Sequence, residues 1–83
     1  MTDTADPNIV TIVVADDHPM VRRGLIATLE DEVDFKVVGE AGSGDEAVAL
    51  VRQLRPRVVI LDVNMPSSGL DTSRAIKSEF PQT

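Results

Sequence analysis

The chain has 83 residues, a net charge of −6 and a hydrophobic fraction of 42%, which suit one small acidic domain. The acidic balance excludes nucleic-acid binding by this segment itself, and the absence of cysteine excludes both disulfides and a thiolate metal site. No apolar run approaches the roughly 18 residues of a membrane span and the N-terminus lacks a secretory signal, so we expect a cytoplasmic protein without a membrane partner.

The first predicted elements are a tail, a buried strand and an amphipathic helix. Residues 1–8 are polar and predict a disordered tail, and residues 9–15 (IVTIVVA) predict a buried strand that ends at Asp16-Asp17. Pro19 fits the first position of a helix, where its missing N–H costs nothing. The inner face of this helix is assigned to apolar residues at helical spacing, namely Met20, Val21, Leu25, Ile26 and Leu29.

The middle of the chain predicts a second strand and a second helix. Residues 35–41 (FKVVGEA) alternate apolar and polar side chains, which is typical of an edge strand. Ser43 and Glu46 have the spacing of a capping box, so a helix is predicted from there to about Leu54. Its apolar face is assigned to Ala47, Leu50, Val51 and Leu54.

The third predicted strand ends at an acid, Asp62. Residues 58–61 (VVIL) are all apolar, as in a parallel strand buried on both faces, and Asp62 follows them directly. A third helix is predicted over residues 70–80, after Gly69. Its buried side is assigned to Leu70, Ala75 or Ile76, and Phe80.

The order β-α-β-α-β-α predicts a parallel α/β sheet with right-handed crossovers. Because the second strand is polar enough for an edge and the other two are apolar, we predict the strand order 2-1-3. Open α/β sheets bind their ligands at the carboxyl ends of the strands. There this order brings Asp16, Asp17 and Asp62 together.

Three carboxylates at one end of a sheet need neutralisation, since two unit charges 4 Å apart repel by about 4 kcal/mol at an effective dielectric constant near 20. Either one or more of them takes up a proton, or a cation binds. A site of oxygen ligands and water suits Mg²⁺ and phosphoryl chemistry, with one carboxylate as nucleophile. The alternative interpretation is that all three acids are turn or capping residues.

Three motifs in order resemble the receiver domain of two-component response regulators: residues 16–25 (DDHPMVRRGL), 38–47 (VGEAGSGDEA) and 61–66 (LDVNMP). The first two are similar to the NarL/FixJ (LuxR-type) subfamily, and the resemblance covers residues 9–80. It implies a flavodoxin-like doubly wound fold, of which this chain has the first three βα units. On that basis residues 9–83 are the N-terminal part of a receiver domain, without strands four and five.

The resemblance also implies a role for each matching residue. Asp62 matches the acid that accepts a phosphoryl group from the phosphohistidine of a sensor histidine kinase. Asp17 matches the direct carboxylate ligand of Mg²⁺, and Asp16 matches the acid that reaches the metal through water. Asn64 matches the position whose backbone carbonyl binds the metal, and Pro66 matches the proline that shapes the loop.

The function that this resemblance implies is a switch of transcription rather than an enzyme. In the subfamily, phosphorylation controls a DNA-binding helix-turn-helix output domain, absent here, and changes how receivers pair, so a homodimer is a further expectation. Two alternatives stay open: a degenerate or truncated receiver used only for interaction or dimerisation, and a Mg²⁺-dependent phosphatase with an aspartyl nucleophile. That phosphatase class has a second acid where this chain has Asn64.

The chain departs from the family pattern in two places. Gly69 follows Pro66 by three residues rather than four, so the loop of Ser67 and Ser68 is one residue short. The family's switch Ser/Thr and its lysine near the phosphoryl group are missing, so we expect poor phosphorylation of these 83 residues alone. An apolar strand over residues 58–61 at the edge of the sheet would be an aggregation hazard, which favours a longer parent protein.

Three neighbours of the acids receive structural assignments. His18 is assigned to the N-cap of the first helix or to an exposed loop rather than to a metal. Arg22 and Arg23 are assigned to a solvated helix face.

Overall fold

The computed structural model describes residues 8–62 and 69–83, and every predicted strand and helix is present, with each end for which a position was predicted within one residue of it. The elements are β1 (Val10–Ala15), α1 (Pro19–Glu30), β2 (Phe35–Ala41), α2 (Gly44–Leu54), β3 (Val58–Leu61) and α3 (Gly69–Glu79). The predicted disordered tail lies outside the described residues, apart from the exposed Asn8.

The three strands are parallel and lie in the order β2-β1-β3, which confirms the predicted order and the flavodoxin-like arrangement. The pairing of β1 with β3 is continuous from Ile12 to Ala15. The register of β1 with β2 shifts after Ile12. Ile12 pairs with Val37 and the next residue of β1 pairs with Gly39, so Val38 forms a bulge. β1 is therefore the central strand, and β2 is an edge, as predicted.

Buried apolar residues lie on both faces of the sheet, with α2 and α3 over one face and α1 over the other, and together they form the core. Its buried apolar residues are Ile12, Val13, Val14, Ala15, Ala41, Ala47, Val51, Ile76 and Phe80. On the predicted face of α2, Ala47 and Val51 are fully buried and Leu50 is half-buried, whereas Leu54 at the end of the helix is 38% exposed. This helix lies close over β2 at Gly39, where an added Cβ would be 3.1 Å from a methyl carbon of Leu54.

Helix α1 packs differently from the prediction. None of its residues is buried, and Met20 and Val21 are 87% and 56% exposed, so their assignment to the inner face was wrong. Leu25 and Leu29 are half-buried. Arg22, three residues before Leu25, lies on the same face of the helix and is also half-buried. The side chain of Arg22 is only 19% exposed, so its assignment to a solvated face was also wrong.

Helix α3 buries Ile76 and the following Phe80, as predicted, together with Thr72, whereas Ala75 is exposed. The side chain of Leu70 lies outside what the structure describes. β3 is half-buried rather than buried on both faces, because within the described part of the chain it pairs only with β1. No helix in the described ranges is long and apolar enough to cross a membrane.

Candidate functional site

Backbone hydrogen bonds fix two acids at the carboxyl end of the sheet. The amide of Asp16 donates to the carbonyl of Ala41 in β2, and the amide of Asp62 donates to the carbonyl of Ala15 in β1, both at 3.0 Å. The strand pairing therefore continues one residue beyond the end of each strand. As a result, the positions of the two acids are set by the sheet itself.

Four side chains converge at this edge. Asp16, Asp17, His18 and Asp62 each offer one ligand atom, and these atoms all lie within 4.8 Å of one another. Asp16 is buried, Asp17 and Asp62 are half-buried, and the side chain of His18 is 65% exposed. The structure thus brings together the three acids that the sequence singled out. It adds His18, which the sequence interpretation kept apart from them.

His18 occupies the N-cap position of α1, as assigned, but its side chain does not cap the helix. Its Nδ1 atom lies 3.1 Å from Asp16 Oδ1, 2.9 Å from Asp17 Oδ1 and 3.9 Å from Asp62 Oδ2. The hydrogen bond to Asp16 and then the charge of Asp17 raise the pKa of His18 above its ordinary value. When it is protonated, the imidazole offsets part of the negative charge of the three acids.

Asp16 is held in its charged form by the turn that follows it. Its Oδ1 atom accepts a hydrogen bond of 2.8 Å from the backbone amide of His18, two residues along the chain. This hydrogen bond lowers the pKa of the Asp16 carboxyl below its ordinary value, although burial acts in the opposite direction. We therefore expect Asp16 to be an anion at neutral pH.

The Oδ1 atom of Asp17 is buried and has no hydrogen-bond partner among the described residues. It forms an ion pair with His18 Nδ1 at 2.9 Å, and the same nitrogen lies within hydrogen-bond distance of Asp16 Oδ1. A buried anionic oxygen without a donor is costly unless a cation binds it. This oxygen, beside two further carboxylates, fits a hard divalent cation such as Mg²⁺.

The residues that could hold such a cation are therefore Asp16, Asp17 and Asp62. Asn64, whose carbonyl was the fourth predicted ligand, lies outside the described residues. The same is true of Pro66 and of the short Ser67-Ser68 loop.

The profile of the response regulator receiver domain family matches residues 12–83. The chain belongs to this family. It is 43% identical over 74 residues to the DNA-binding transcriptional activator DevR/DosR of Mycobacterium tuberculosis, covering 88% of this chain and 34% of that one. It is 41% identical over 69 residues to the nitrate/nitrite response regulator protein homolog of Haemophilus influenzae, covering 82% of this chain and 33% of that one. This receiver chain thus spans about a third of the length of the curated relatives it matches.

Solved receiver structures share its fold. A LuxR-family two-component response regulator from Aurantimonas sp. SI85-9A1 aligns with a TM-score of 0.84 at 32% identity, covering 88% of this chain and 53% of that one. The isolated receiver domain of RcsB from Salmonella enterica serovar Typhimurium was solved with the phosphomimetic BeF₃⁻. It aligns with a TM-score of 0.84 at 32% identity, and the alignment covers 90% of this chain and 57% of that one. The resemblance to the NarL and LuxR type and the flavodoxin-like fold are both confirmed.

Proposed function

We propose that this receiver is a phosphoacceptor, in which Asp62 takes a phosphoryl group from the phosphohistidine of a sensor histidine kinase. The observation that carries the proposal is the buried Asp17 oxygen, which has no hydrogen-bond donor in residues 8–62 and 69–83 and lies beside the carboxylates of Asp16 and Asp62. Mg²⁺, when bound, would neutralise these acids and the oxygens of the incoming phosphoryl group. Asp16, Asp17, Asp62 and the backbone carbonyl of Asn64 are the proposed ligands.

Asp62 is the nucleophile that this arrangement favours. Asp62 matches the family's phosphoacceptor, and the bond from its amide to the carbonyl of Ala15 holds it directly after β3, beside Asp16 and Asp17. One carboxylate oxygen of Asp62 attacks the phosphorus, and the P–N bond of the phosphohistidine breaks. The imidazole of the kinase leaves with the electron pair, and the product is an aspartyl phosphate.

The remaining parts of the proposal concern the longer protein. We propose that residues 9–83 form part of a receiver domain that controls transcription in the cytoplasm through a DNA-binding output domain. Support comes from DevR/DosR, which is named a DNA-binding transcriptional activator and is about three times as long as the region it shares with this chain. Pairing of two receivers is proposed as the step that phosphorylation controls.

The test is the intact mass of the chain after incubation with acetyl phosphate and Mg²⁺. We expect a weak adduct of one phosphoryl group on the wild-type chain that disappears without Mg²⁺. It should also disappear in Asp62→Asn, because the nucleophile is lost. Asp71→Asn, which neutralises an exposed acid of α3, is the matched control and should keep the adduct.

Two results would contradict the proposal. An adduct that survives Asp62→Asn would exclude Asp62 as the nucleophile. No adduct on the wild-type chain would exclude phosphorylation of these 83 residues. It would favour the alternative of a receiver used only for interaction.

A further inference from the structure

One arginine joins helix α1 to the acid cluster. The Nη1 group of Arg22 donates a hydrogen bond of 2.7 Å to the backbone carbonyl of Asp16, and its Nε group donates one of 2.8 Å to Glu40 Oε1. The guanidinium therefore connects the first turn of α1, the end of β1 and the end of β2. Its planar fork allows both contacts at once, which an ammonium group cannot reproduce with the same geometry.

The contact with Arg22 fixes the backbone where the site begins. The amide of Asp16 already donates to the carbonyl of Ala41, so the bond from Arg22 to the Asp16 carbonyl holds the second polar atom of the same residue. That carbonyl belongs to the peptide unit that links Asp16 to Asp17. Its orientation therefore determines where the Asp17 side chain is directed.

We propose that Arg22 is a positioning residue for the cation site, acting through the peptide unit between Asp16 and Asp17. The inference rests on the proposed function and deepens it. Arg22 itself does not contact the cation. It keeps the buried oxygen of Asp17 turned towards the other two carboxylates before a cation arrives.

The geometry of Arg22 favours cation binding, but its charge weakens it, because a positive charge near the site repels a cation. Glu40 offsets much of this charge, since its carboxylate lies 2.8 Å from Arg22 Nε. We therefore expect geometry to outweigh charge. Arg22→Lys separates the two effects, because it keeps the charge and loses the planar fork.

The test measures Mn²⁺ binding to the 83-residue chain by the electron paramagnetic resonance signal of free Mn²⁺. Arg22→Lys and Arg22→Met should both bind about tenfold more weakly than wild type, as expected when a metal ligand loses its supporting contact. Arg52→Met is the matched control, because Arg52 also makes a two-point contact with an acid, Glu79, away from the site. It should bind Mn²⁺ like wild type.

A second readout needs no metal. The amide of His18 donates to Asp16 Oδ1 within the same turn. Its exchange with water, followed by NMR in metal-free protein, should accelerate in Arg22→Lys and stay unchanged in Arg52→Met. A general loss of stability in Arg22→Lys would accelerate amide exchange throughout the chain, so acceleration confined to the turn of His18 identifies the local effect.

The two readouts distinguish the possible failures. If wild type binds Mn²⁺ and both Arg22 variants bind it equally or more tightly, the positioning role is overturned and the cation site stands. If wild type binds no Mn²⁺, the proposed cation site fails, and unchanged His18 exchange in Arg22→Lys then overturns the role in the turn as well. If Arg22→Met does not fold, Mn²⁺ binding and His18 exchange are measured in Arg22→Lys alone.

Discussion

Two charged regions of this molecule differ in the balance between positive and negative charge. On α2 and α3, Arg52 donates two hydrogen bonds of 3.0 Å to Glu79, and one positive charge meets one negative charge. At the carboxyl ends of β1 and β3, three acids lie around the imidazole of His18, and within the described part of the chain a buried oxygen of Asp17 has no hydrogen-bond donor. The first region is balanced by the chain alone, whereas in the second the three carboxylates outnumber the positive groups of His18 and Arg22. The imbalance, rather than the number of acids, marks the second region as a site.

The largest expected effect is on divalent-cation binding. Asp17→Asn should weaken Mg²⁺ binding about a hundredfold, because it removes a full charge and replaces one carboxylate oxygen by an amide NH₂ group, which does not bind a cation. Glu79→Gln makes the same chemical change in the balanced region and should leave the affinity unchanged. Titration calorimetry measures both. Equal affinity in wild type and Asp17→Asn would mean that the cation does not bind at this oxygen.

The next effect concerns thermal stability without metal, and it should have opposite signs in the two regions. Asp17→Asn should raise the midpoint of thermal unfolding by about 4 °C, because one of three mutually repelling carboxylates becomes neutral. Glu79→Gln should lower it slightly, because Arg52 loses its partner. Calorimetric scans in EDTA compare them. Destabilisation by Asp17→Asn would contradict the imbalance that the comparison describes.

Excess Mg²⁺ should reverse the order of wild type and Asp17→Asn in the same scans. A ligand that binds the folded state raises its stability in proportion to the logarithm of its concentration over the dissociation constant. Wild type should therefore gain several degrees with Mg²⁺, while Asp17→Asn gains little. Equal gains in the two proteins would place the stabilising ion elsewhere.

The smallest effect is the pH dependence of the balanced pair. The hydrogen bond from Arg52 and then its charge lower the pKa of Glu79 below the ordinary 4.5. A lowered folded-state pKa contributes stability above the unfolded pKa, and this contribution disappears as pH falls through the folded value. The difference in unfolding midpoint between wild type and Glu79→Gln should thus be small at pH 7, because exposed pairs are weak, and should vanish at acidic pH. A difference that persists at acidic pH would exclude this ion pair as its source.

The helices show how far the sequence predicts the packing. The face of α2 follows from its apolar spacing, because Ala47 packs against the apolar sheet and Val51 packs against the apolar side of α3. In α1 the apolar spacing selects Val21, yet the covered side chain is Arg22. A long arginine can lie along a helix face when its head finds partners at the end of the stem. The partners of Arg22 come from β1 and β2, which helix periodicity does not include.

The site shows the same division between backbone and side chains. The convergence of Asp16, Asp17 and Asp62 follows from strand order alone, because parallel strands end at one edge. The contacts of His18 and the unsatisfied oxygen of Asp17 depend on side-chain directions after a turn, which no periodicity predicts. The role of Asn64 rests on the family resemblance.

The most direct test of the central claim locates the phosphoryl group after incubation with acetyl phosphate and Mg²⁺. Borohydride reduces an aspartyl phosphate to homoserine, and trypsin then cleaves after Arg22, Arg57 and Arg74. Asp16 and Asp17 fall on the first peptide, residues 1–22, and Asp62 falls on residues 58–74. We predict homoserine at position 62 by fragment mass spectrometry. Homoserine at position 16, 17 or 71 instead would contradict the assignment of Asp62 as the phosphoacceptor.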